Sequence, residues 1–371
     1  MYYIIAIVAL VFIILTGVVI ARLQNVLKSV KSNEQDSDDL PSGNSFNATM
    51  FLVVLVLGGI AVFWSYMHAR EYFLPIASSV HGRRTDDLFW FSMGVLTIPF
   101  IFVNVLIFFF SWKYQYKKGN KATFYPDNHK LELIWTIIPA IVMALLVFTG
   151  WKAWSDITGE APQDAEVIEI TGKQFNWLTR YSGVNDNKLG NYNYKLIDSQ
   201  NEVGIDLSDE NSFDDFMGPA SAIHIPVNRP VLLKIRARDV LHSVFIPHMR
   251  VKMDAVPGMP TKFWFVADKT TAEMRAELND PDFNYELVCA EICGMGHFSM
   301  GTKLVVEDEA SYRKWCAEQP TFLNSYPEYL AKVPDNLKAK AMKYLPEGSV
   351  TSAADTTATG GGVGSGTSSL R

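Results

Sequence analysis

Four long apolar runs occupy the first 155 residues of the chain. They cover residues 1–21, about 48–67, about 88–112 and about 133–153. As helices rising about 1.5 Å per residue, all four are long enough to cross roughly 30 Å of hydrocarbon. The first run lacks a basic start and a small-residue cleavage site, so we expect a retained helix rather than a signal peptide. The pattern predicts a membrane part with about four transmembrane helices.

The hydrophobic period changes after residue 165. Short runs of β-branched and aromatic residues alternate there with Gly, Pro, Asn and Asp, as is typical of strands. The predicted strands are residues 167–171, 174–181, 222–226, 231–237, 262–266, 285–288 and 302–306, and His242 begins a further strand-like run. This part is therefore expected to be an all-β antiparallel sandwich or Greek-key barrel.

The charge distribution orients the membrane part. The loop between the third and fourth runs contains one acid, Asp127, and five lysines: Lys113, Lys117, Lys118, Lys121 and Lys130. Positive loops stay in the cytoplasm, so the β domain is expected on the outer side. A net charge of −6 argues against nucleic acid as a partner and is compatible with a cationic protein.

Five residues within twelve positions form a candidate metal site. Cys289, Glu291, Cys293, His297 and Met300 offer the donor atoms that soft and borderline transition metals select. Glycines at 294 and 296 leave the backbone free to curl around an ion. On spacing alone, buried thiols, a disulfide and a structural zinc site remain open.

A sixth candidate ligand comes from elsewhere in the chain. His242 lies between two strand-like runs, and a curled loop needs one more ligand from outside it. The chain has three cysteines, and two of them belong to the candidate metal site. Cys316 then has no cysteine to pair with, so the chain is not a disulfide-rich protein. We expect Cys316 to be a buried thiol.

These motifs resemble one family. His242-Ser243, the run Met253-Asp254-Ala255-Val256-Pro257-Gly258 and the pattern C-A-E-I-C-G-x-x-H-x-x-M are similar to the copper domain of cytochrome c oxidase subunit II. The resemblance implies a cupredoxin-like fold and two copper ions, the CuA pair. Cys289 and Cys293 would bridge the ions. The remaining ligands would be His242, His297, Met300 and the carbonyl of Glu291, whose side chain would also reach a magnesium ion shared with subunit I.

The resemblance extends into the membrane part. The third and fourth runs, with Glu132 two residues before Ile134-Trp135-Thr136, resemble the two-helix hairpin of the family. In the family a glutamate at the place of Glu132 lies where protons enter subunit I, whereas a first-turn carboxylate favoured by the helix dipole is the plainer interpretation. The first two runs are extra to the family's plan.

The expected organisation has six parts. They are an extra N-terminal helix or signal with a polar loop (1–47), a second extra helix and loop (48–87), a hairpin of the subunit II type (88–155), the CuA domain (156–310), a helical segment (311–347) and a flexible Gly/Ser/Thr tail (348–371). Pro99 and Pro139 are compatible with membrane helices because neighbouring groups satisfy the freed carbonyls.

Two features bear on how electrons reach the copper pair. Where the family has Gln-Trp-x-Trp, with the first tryptophan accepting electrons, this chain has Gln174, Phe175, Asn176 and Trp177, so either aromatic residue is a candidate. An acidic insert between Tyr181 and Gly218 reads as a solvated loop. Some of its carboxylates would alternatively steer a cationic donor, and the candidates are Asp209, Glu210, Asp214 and Asp215.

The sequence thus predicts the electron-accepting subunit of a haem–copper cytochrome c oxidase in a bacterial inner membrane. Its copper domain would face the periplasm and pass electrons from a c-type cytochrome, diffusible or held in a supercomplex, to haem in subunit I. Oxygen reduction and proton pumping would occur there. Expected partners are subunits I and III and membrane lipid. The alternatives are a membrane-tethered copper carrier or electron-transfer cupredoxin, a quinol-oxidising homologue and a structural zinc module.

Overall fold

The computed structural model describes residues 11, 15–26, 43–117, 121–183 and 187–346. The chain separates into two units, one containing Met1–Phe73 and Ser92–Pro139, the other Leu74–Phe91 and Ala140–Arg371. Residues 15–26 are helical, but most of the first predicted span (1–21) lies outside the described residues. The predicted tail (348–371) lies outside them entirely.

Three long helices match the second, third and fourth apolar runs. They are α1 (Asn44–Ala69), α2 (Val80–Lys113) and α3 (His129–Thr158). Within the described residues these are the helices long and apolar enough to cross a membrane. Pro99 and Pro139 lie inside α2 and α3, as expected. Large apolar side chains such as Ile98 are exposed along them, which is typical of helices that cross a membrane.

The β domain contains two five-stranded sheets. The strands are β1 (Glu166–Lys173), β2 (Asn176–Tyr181), β3 (Phe216–Met217), β4 (Ala222–Pro226), β5 (Pro230–Ala237), β6 (His242–Ile246), β7 (Val251–Ala255), β8 (Thr261–Val266), β9 (Tyr285–Cys289) and β10 (Gly301–Glu307). The sheet orders are β3-β2-β1-β5-β8 and β4-β10-β9-β6-β7. All the predicted strands are present, whereas β3 and β7 were not predicted.

The sheets are mixed rather than antiparallel. β1 pairs in parallel with β5, and β4 with β10. A parallel pair needs a long connection, and here the connections are the acidic insert and the chain between β4 and β10. Alternation along β5 places Val231, Leu233 and Ile235 in the core between the sheets.

One helix lies between β8 and β9, and further helices follow β10. α4 (Thr271–Leu278) precedes β9 and begins with a capping box between Thr270 and Glu273. After β10 come α5 (Glu309–Glu318), α6 (Phe322–Ser325) and α7 (Asp335–Ala341), with a 3-10 helix (Pro327–Lys332) between α6 and α7. The segment after Glu307 is therefore helical, as its composition predicted.

The segment before α2 belongs to the β-domain unit. The Ser78 N–H donates to the carbonyl of His248 at 2.8 Å, and Ser79 Oγ donates to the carbonyl of Met249 at 2.8 Å. The Arg250 guanidinium binds both carboxylate oxygens of Asp86, at 2.7 and 2.8 Å. Such a two-point ion pair fixes orientation as well as distance, so the start of α2 is held to the end of β6.

The acidic insert is folded, which corrects its prediction as a solvated loop. Its apolar residues Val203, Ile205, Leu207 and Phe213 are buried. They form a second core with residues that follow β10: Phe322, Leu323, Tyr329, Val333 and Ala341. Among the described carboxylates of the insert, Asp198 pairs with Lys332, Glu202 with Lys173 and Arg238, and Glu210 with Lys340.

A buried cluster of polar side chains fixes the insert to the first sheet. Arg180 lies 3.2 Å from Glu169 and 3.4 Å from Asp215, and the three side chains are at most 1% exposed. Asp215 also accepts the Gly190 N–H at 3.1 Å. Asp214 is buried as well. Asp214 and Asp215 therefore cannot steer a donor from the surface, contrary to that part of the prediction.

Candidate metal centre

Three neighbouring strands bring the candidate ligands to one end of the second sheet. β6 begins at His242 and β9 ends at Cys289, and the two strands pair with Val244 opposite Cys289. The Cys289 N–H donates to the carbonyl of Met300, immediately before β10, at 3.0 Å. The ligand loop thus starts and finishes on paired strands, which fixes both of its ends.

The two thiols occupy the middle of the site. Cys289 Sγ and Cys293 Sγ are 3.9 Å apart, both buried and not joined in a disulfide. His242 Nδ1 lies 3.9 Å from Cys289 Sγ. The donor atoms of these three residues all lie within 4.8 Å of one another. A metal site is therefore favoured over separate buried thiols.

The remaining predicted donors surround the same two sulfurs. His297 Nδ1 is 3.6 Å from Cys293 Sγ, and Met300 Sδ is 3.7 Å from it. The carbonyl oxygen of Glu291 is 3.2 Å from Cys289 Sγ. Each sulfur thus has one imidazole beside it and one weaker donor, and six donor atoms converge.

His242 is enclosed on every side that the structure describes. It is fully buried, and its ring meets Trp177 edge-on with 6.0 Å between centroids. A Cβ at Gly172 would lie 2.7 Å from His242 Cδ2, so only glycine fits there. Nε2 lies 2.8 Å from Asp239 Oδ1. This carboxylate fixes the ring's second nitrogen as the donor and leaves Nδ1 facing the thiols.

While no metal is bound, Cys293 is a neutral thiol and Asp239 is a carboxylate. Burial, together with the neighbouring Cys289 thiol, raises the pKa of Cys293 to about 11. Burial also acts to raise the pKa of Asp239, but hydrogen bonds from the Gln174 N–H and from His242 outweigh it and lower that pKa. A metal ion replaces the thiol protons that would otherwise be retained. Paired thiolates, imidazoles and a thioether fit copper.

Phe175 covers the ligand loop. A Cβ at Gly296 would lie 2.5 Å from Phe175 Cγ, and one at Gly294 would lie 3.0 Å from its Cε1. The ring is 39% exposed, whereas Trp177 is only 3% exposed. The two glycines predicted for a curling loop therefore also make room for a ring. Of the two aromatic candidates, Phe175 is the one that a partner can touch.

Two family models match the chain. "Cytochrome C oxidase subunit II, transmembrane domain" matches residues 67–152, and "Cytochrome C oxidase subunit II, periplasmic domain" matches residues 166–308. An alternative cytochrome c oxidase subunit 2 from Bradyrhizobium diazoefficiens is 30% identical over 278 residues, which are 74% of this chain and 93% of that protein. The chain belongs to the cytochrome c oxidase subunit II family.

Two further proteins are similar to this chain. Cytochrome c oxidase subunit 2 of Cereibacter sphaeroides is 27% identical over 65% of this chain and 76% of its own length. A crystal structure of the periplasmic domain of subunit II from Bradyrhizobium japonicum covers 43% of this chain and 95% of that chain, with 22% identity and a TM-score of 0.29.

Membership of the family confirms the predicted fold class, a helical membrane part followed by a cupredoxin-like β domain. The chain is a membrane-anchored component of an oxidase, with a copper-binding domain on the outer side. The transmembrane match begins at residue 67, so α1 lies almost wholly before it. Within the described residues there are three candidate spans rather than about four.

Glu132 belongs to the other unit of the chain. It is in the first turn of α3, where its Oε2 is 3.2 Å from His129 Nδ1 and its side chain is 45% exposed. The Asn128 side chain caps the start of the helix, because its Oδ1 accepts the Leu131 N–H at 3.0 Å. This position suits both the helix-dipole interpretation and proton uptake.

Sequence reasoning missed three residues that support the site. Asp239 contacts His242, Gln174 donates from Nε2 to the carbonyl of Cys293 at 2.5 Å, and Gly172 packs on the His242 ring. The only signal for Asp239 was a carboxylate three positions before a candidate ligand. No signal in the sequence pointed to Gly172, because His242, on which it packs, is 70 residues away.

Proposed function

We propose that this chain accepts electrons from a c-type cytochrome at a copper pair and delivers them to haem in subunit I of the oxidase. The observation that carries the proposal is the convergence of four donor atoms around two free thiols. When bound, the copper pair would take up and release one electron at a time. Oxygen reduction and proton pumping would take place in subunit I.

The donors of this site divide into two thiols and four groups around them. Cys289 and Cys293 would hold both ions, and a different imidazole lies next to each sulfur. His242 would serve the ion on one side and His297 the other. Met300 and the Glu291 carbonyl would be the outer donors. A rigid, buried donor set keeps the geometry nearly constant as charge changes, which suits a relay.

Phe175 would offer the surface through which electrons arrive. Its ring lies over the loop between Cys293 and His297, and part of it is exposed. Trp177 would lie on the electron path inside the domain, because it is buried against His242. The donor would be either diffusible or held in a supercomplex beside the exposed ring.

The membrane part would supply the contacts with the rest of the complex. Subunits I and III and membrane lipid would cover the exposed apolar faces of the helices. The lysine-rich loop after α2 would lie in the cytoplasm of a bacterium and the copper domain in the periplasm. Glu132 would collect protons at the cytoplasmic end of α3, and the Glu291 side chain would reach a magnesium ion shared with subunit I.

The proposal is tested on the purified oxidase with a reduced c-type cytochrome as electron source. Cys293→Ser should abolish both copper retention at this site and oxygen consumption, because an alcohol does not bridge two soft ions. Cys316→Ser is the matched control, since Cys316 is buried outside the metal site. Oxygen consumption that survives Cys293→Ser would contradict the proposal.

A further inference from the structure

Asp239 uses its two carboxylate oxygens on two different parts of the site. Oδ1 lies 2.8 Å from His242 Nε2 and also accepts the Val240 N–H at 2.7 Å. Oδ2 accepts the backbone N–H of Gln174 at 2.8 Å. Because a carboxylate only accepts hydrogen bonds, the proton of the His242 ring resides on Nε2 and the lone pair on Nδ1.

Gln174 continues this chain of contacts to the other side of the site. Its side-chain Nε2 donates to the carbonyl of Cys293 at 2.5 Å. The next residue, Phe175, packs its ring on Gly294 and Gly296. One carboxylate therefore touches a candidate ligand directly and also anchors the turn that carries the exposed ring.

We propose that Asp239 is a positioning residue that ties the copper ligand His242 to the turn carrying Phe175. This inference rests on the proposed function and deepens it. One residue would set both the tautomer of the ligand and the place at which electrons arrive.

The steric surroundings of His242 separate this role from simple packing. Gly172 and Trp177 already confine the ring, so its location does not depend on Asp239. The carboxylate adds what packing cannot supply, namely a fixed proton on Nε2 and a more basic Nδ1. A more basic ligand favours the oxidised metal. Removing the carboxylate should therefore raise the reduction potential.

The experiment uses the full chain in the purified oxidase. Asp239→Asn keeps the shape, but its amide has only one accepting oxygen and so can serve either His242 or Gln174, not both, whereas Asp239→Ala removes both oxygens. Asp282→Asn is the matched control for the lost charge, because Asp282 is an exposed carboxylate in the loop before β9. The measurements are copper release to a chelator, the reduction potential, the rate of reduction by the donor and thermal unfolding.

We expect Asp239→Ala to release copper roughly 10- to 100-fold faster than wild type, as is typical when the partner of a metal-bound histidine is removed. Both variants should show a higher reduction potential and slower reduction by the donor. Wild type and Asp282→Asn should behave alike, and the unfolding temperature should change little.

Three results would overturn the inference. The first is an unchanged potential and copper release in both Asp239 variants. The second is an equal change in Asp282→Asn, which would indicate a general charge effect. The third is copper loss that merely follows a lower unfolding temperature, which would indicate a structural role alone. A wild-type chain that retains no copper pair would instead refute the proposed function.

Discussion

The ring of Phe175 lies so close to Gly296 that a Cβ at position 296 would be 2.5 Å from Phe175 Cγ. Gly296→Ala should therefore displace the ring and cost about 1–3 kcal/mol of folding free energy. We expect slower reduction of the site by the donor, while both coppers are retained. Stopped-flow absorbance and metal analysis measure the two effects.

Gly301→Ala provides the control for this change. A Cβ at position 301 would meet Val288 at an ordinary 3.4 Å, so it should leave the rate unchanged. Phe175→Ala should reproduce the slow reduction expected for Gly296→Ala. The role of the ring would be wrong if Phe175→Ala reduced as fast as wild type.

Glu202 is the acid of the insert that bears most directly on donor docking. It binds Lys173, next to Gln174, at 2.5 Å and Arg238, next to Asp239, at 2.8 Å. Glu202→Gln would leave two unpaired cations there and repel a cationic donor. We expect slower association at 0.1 M salt, with the difference lost near 1 M, because the Debye length falls from about 10 to about 3 Å.

The control for this prediction is Glu210→Gln. Glu210 pairs with Lys340 in the segment after β10 and not with a cation next to Gln174 or Asp239, so its neutralisation should not alter the salt dependence. Equal effects of the two substitutions, or none for Glu202→Gln, would mean that the insert does not influence docking. A donor held permanently in the complex would then be favoured.

Asp215 makes stability depend on pH. Burial, with smaller contributions from Asp214 and Glu169, raises its pKa to about 8 against the attraction of Arg180. The folded chain then keeps a proton that the unfolded chain loses near pH 4. The free energy of unfolding should fall as pH rises from about 4 to about 8, by up to about 1.4 kcal/mol per unit.

Asp215→Asn should remove this contribution, because an amide does not titrate. The comparison is the unfolding temperature of wild type and variant in detergent at several pH values. Their difference should change steadily between pH 5 and 8 and level off above that. A difference independent of pH would show that Asp215 is ionised throughout, held by Arg180.

Glu132→Gln tests proton uptake separately from electron uptake. We expect oxygen turnover to slow while reduction of the copper site by the donor is unchanged, because proton supply and electron arrival would be on opposite membrane faces. Glu160→Gln, in the loop after α3, is a control for the charge. Equal slowing of both steps, or unchanged turnover, would refute the role of Glu132.

The sequence predicted the elements whose residues carry a local period. The helices and the strands around Ile168 and Leu233 were found because apolar residues repeat within each element. The insert was misjudged because Ile205 and Phe213 stand among acids and their partners, such as Phe322, lie more than 100 residues away. Asp239 was missed for the same reason, since its role depends on contacts between loops.

The metal ligands were predictable because their chemistry is concentrated in one short motif. Cys289, Cys293, His297 and Met300 lie within twelve positions, and His242 was suggested by its place between strands. The sequence did not show that the ring of Phe175 leaves room only for glycine at positions 294 and 296. That relationship appears only when β1 and β2 bring residues 174–175 over the loop.

The most direct test of the central claim is the electron paramagnetic resonance spectrum of the oxidised full chain, together with its copper content. We expect two coppers per chain and an unpaired electron shared equally by two copper nuclei, with the sharing lost in Cys293→Ser and kept in Met300→Leu. One copper per chain, or an electron localised on a single nucleus, would contradict the assignment of this site as a copper pair.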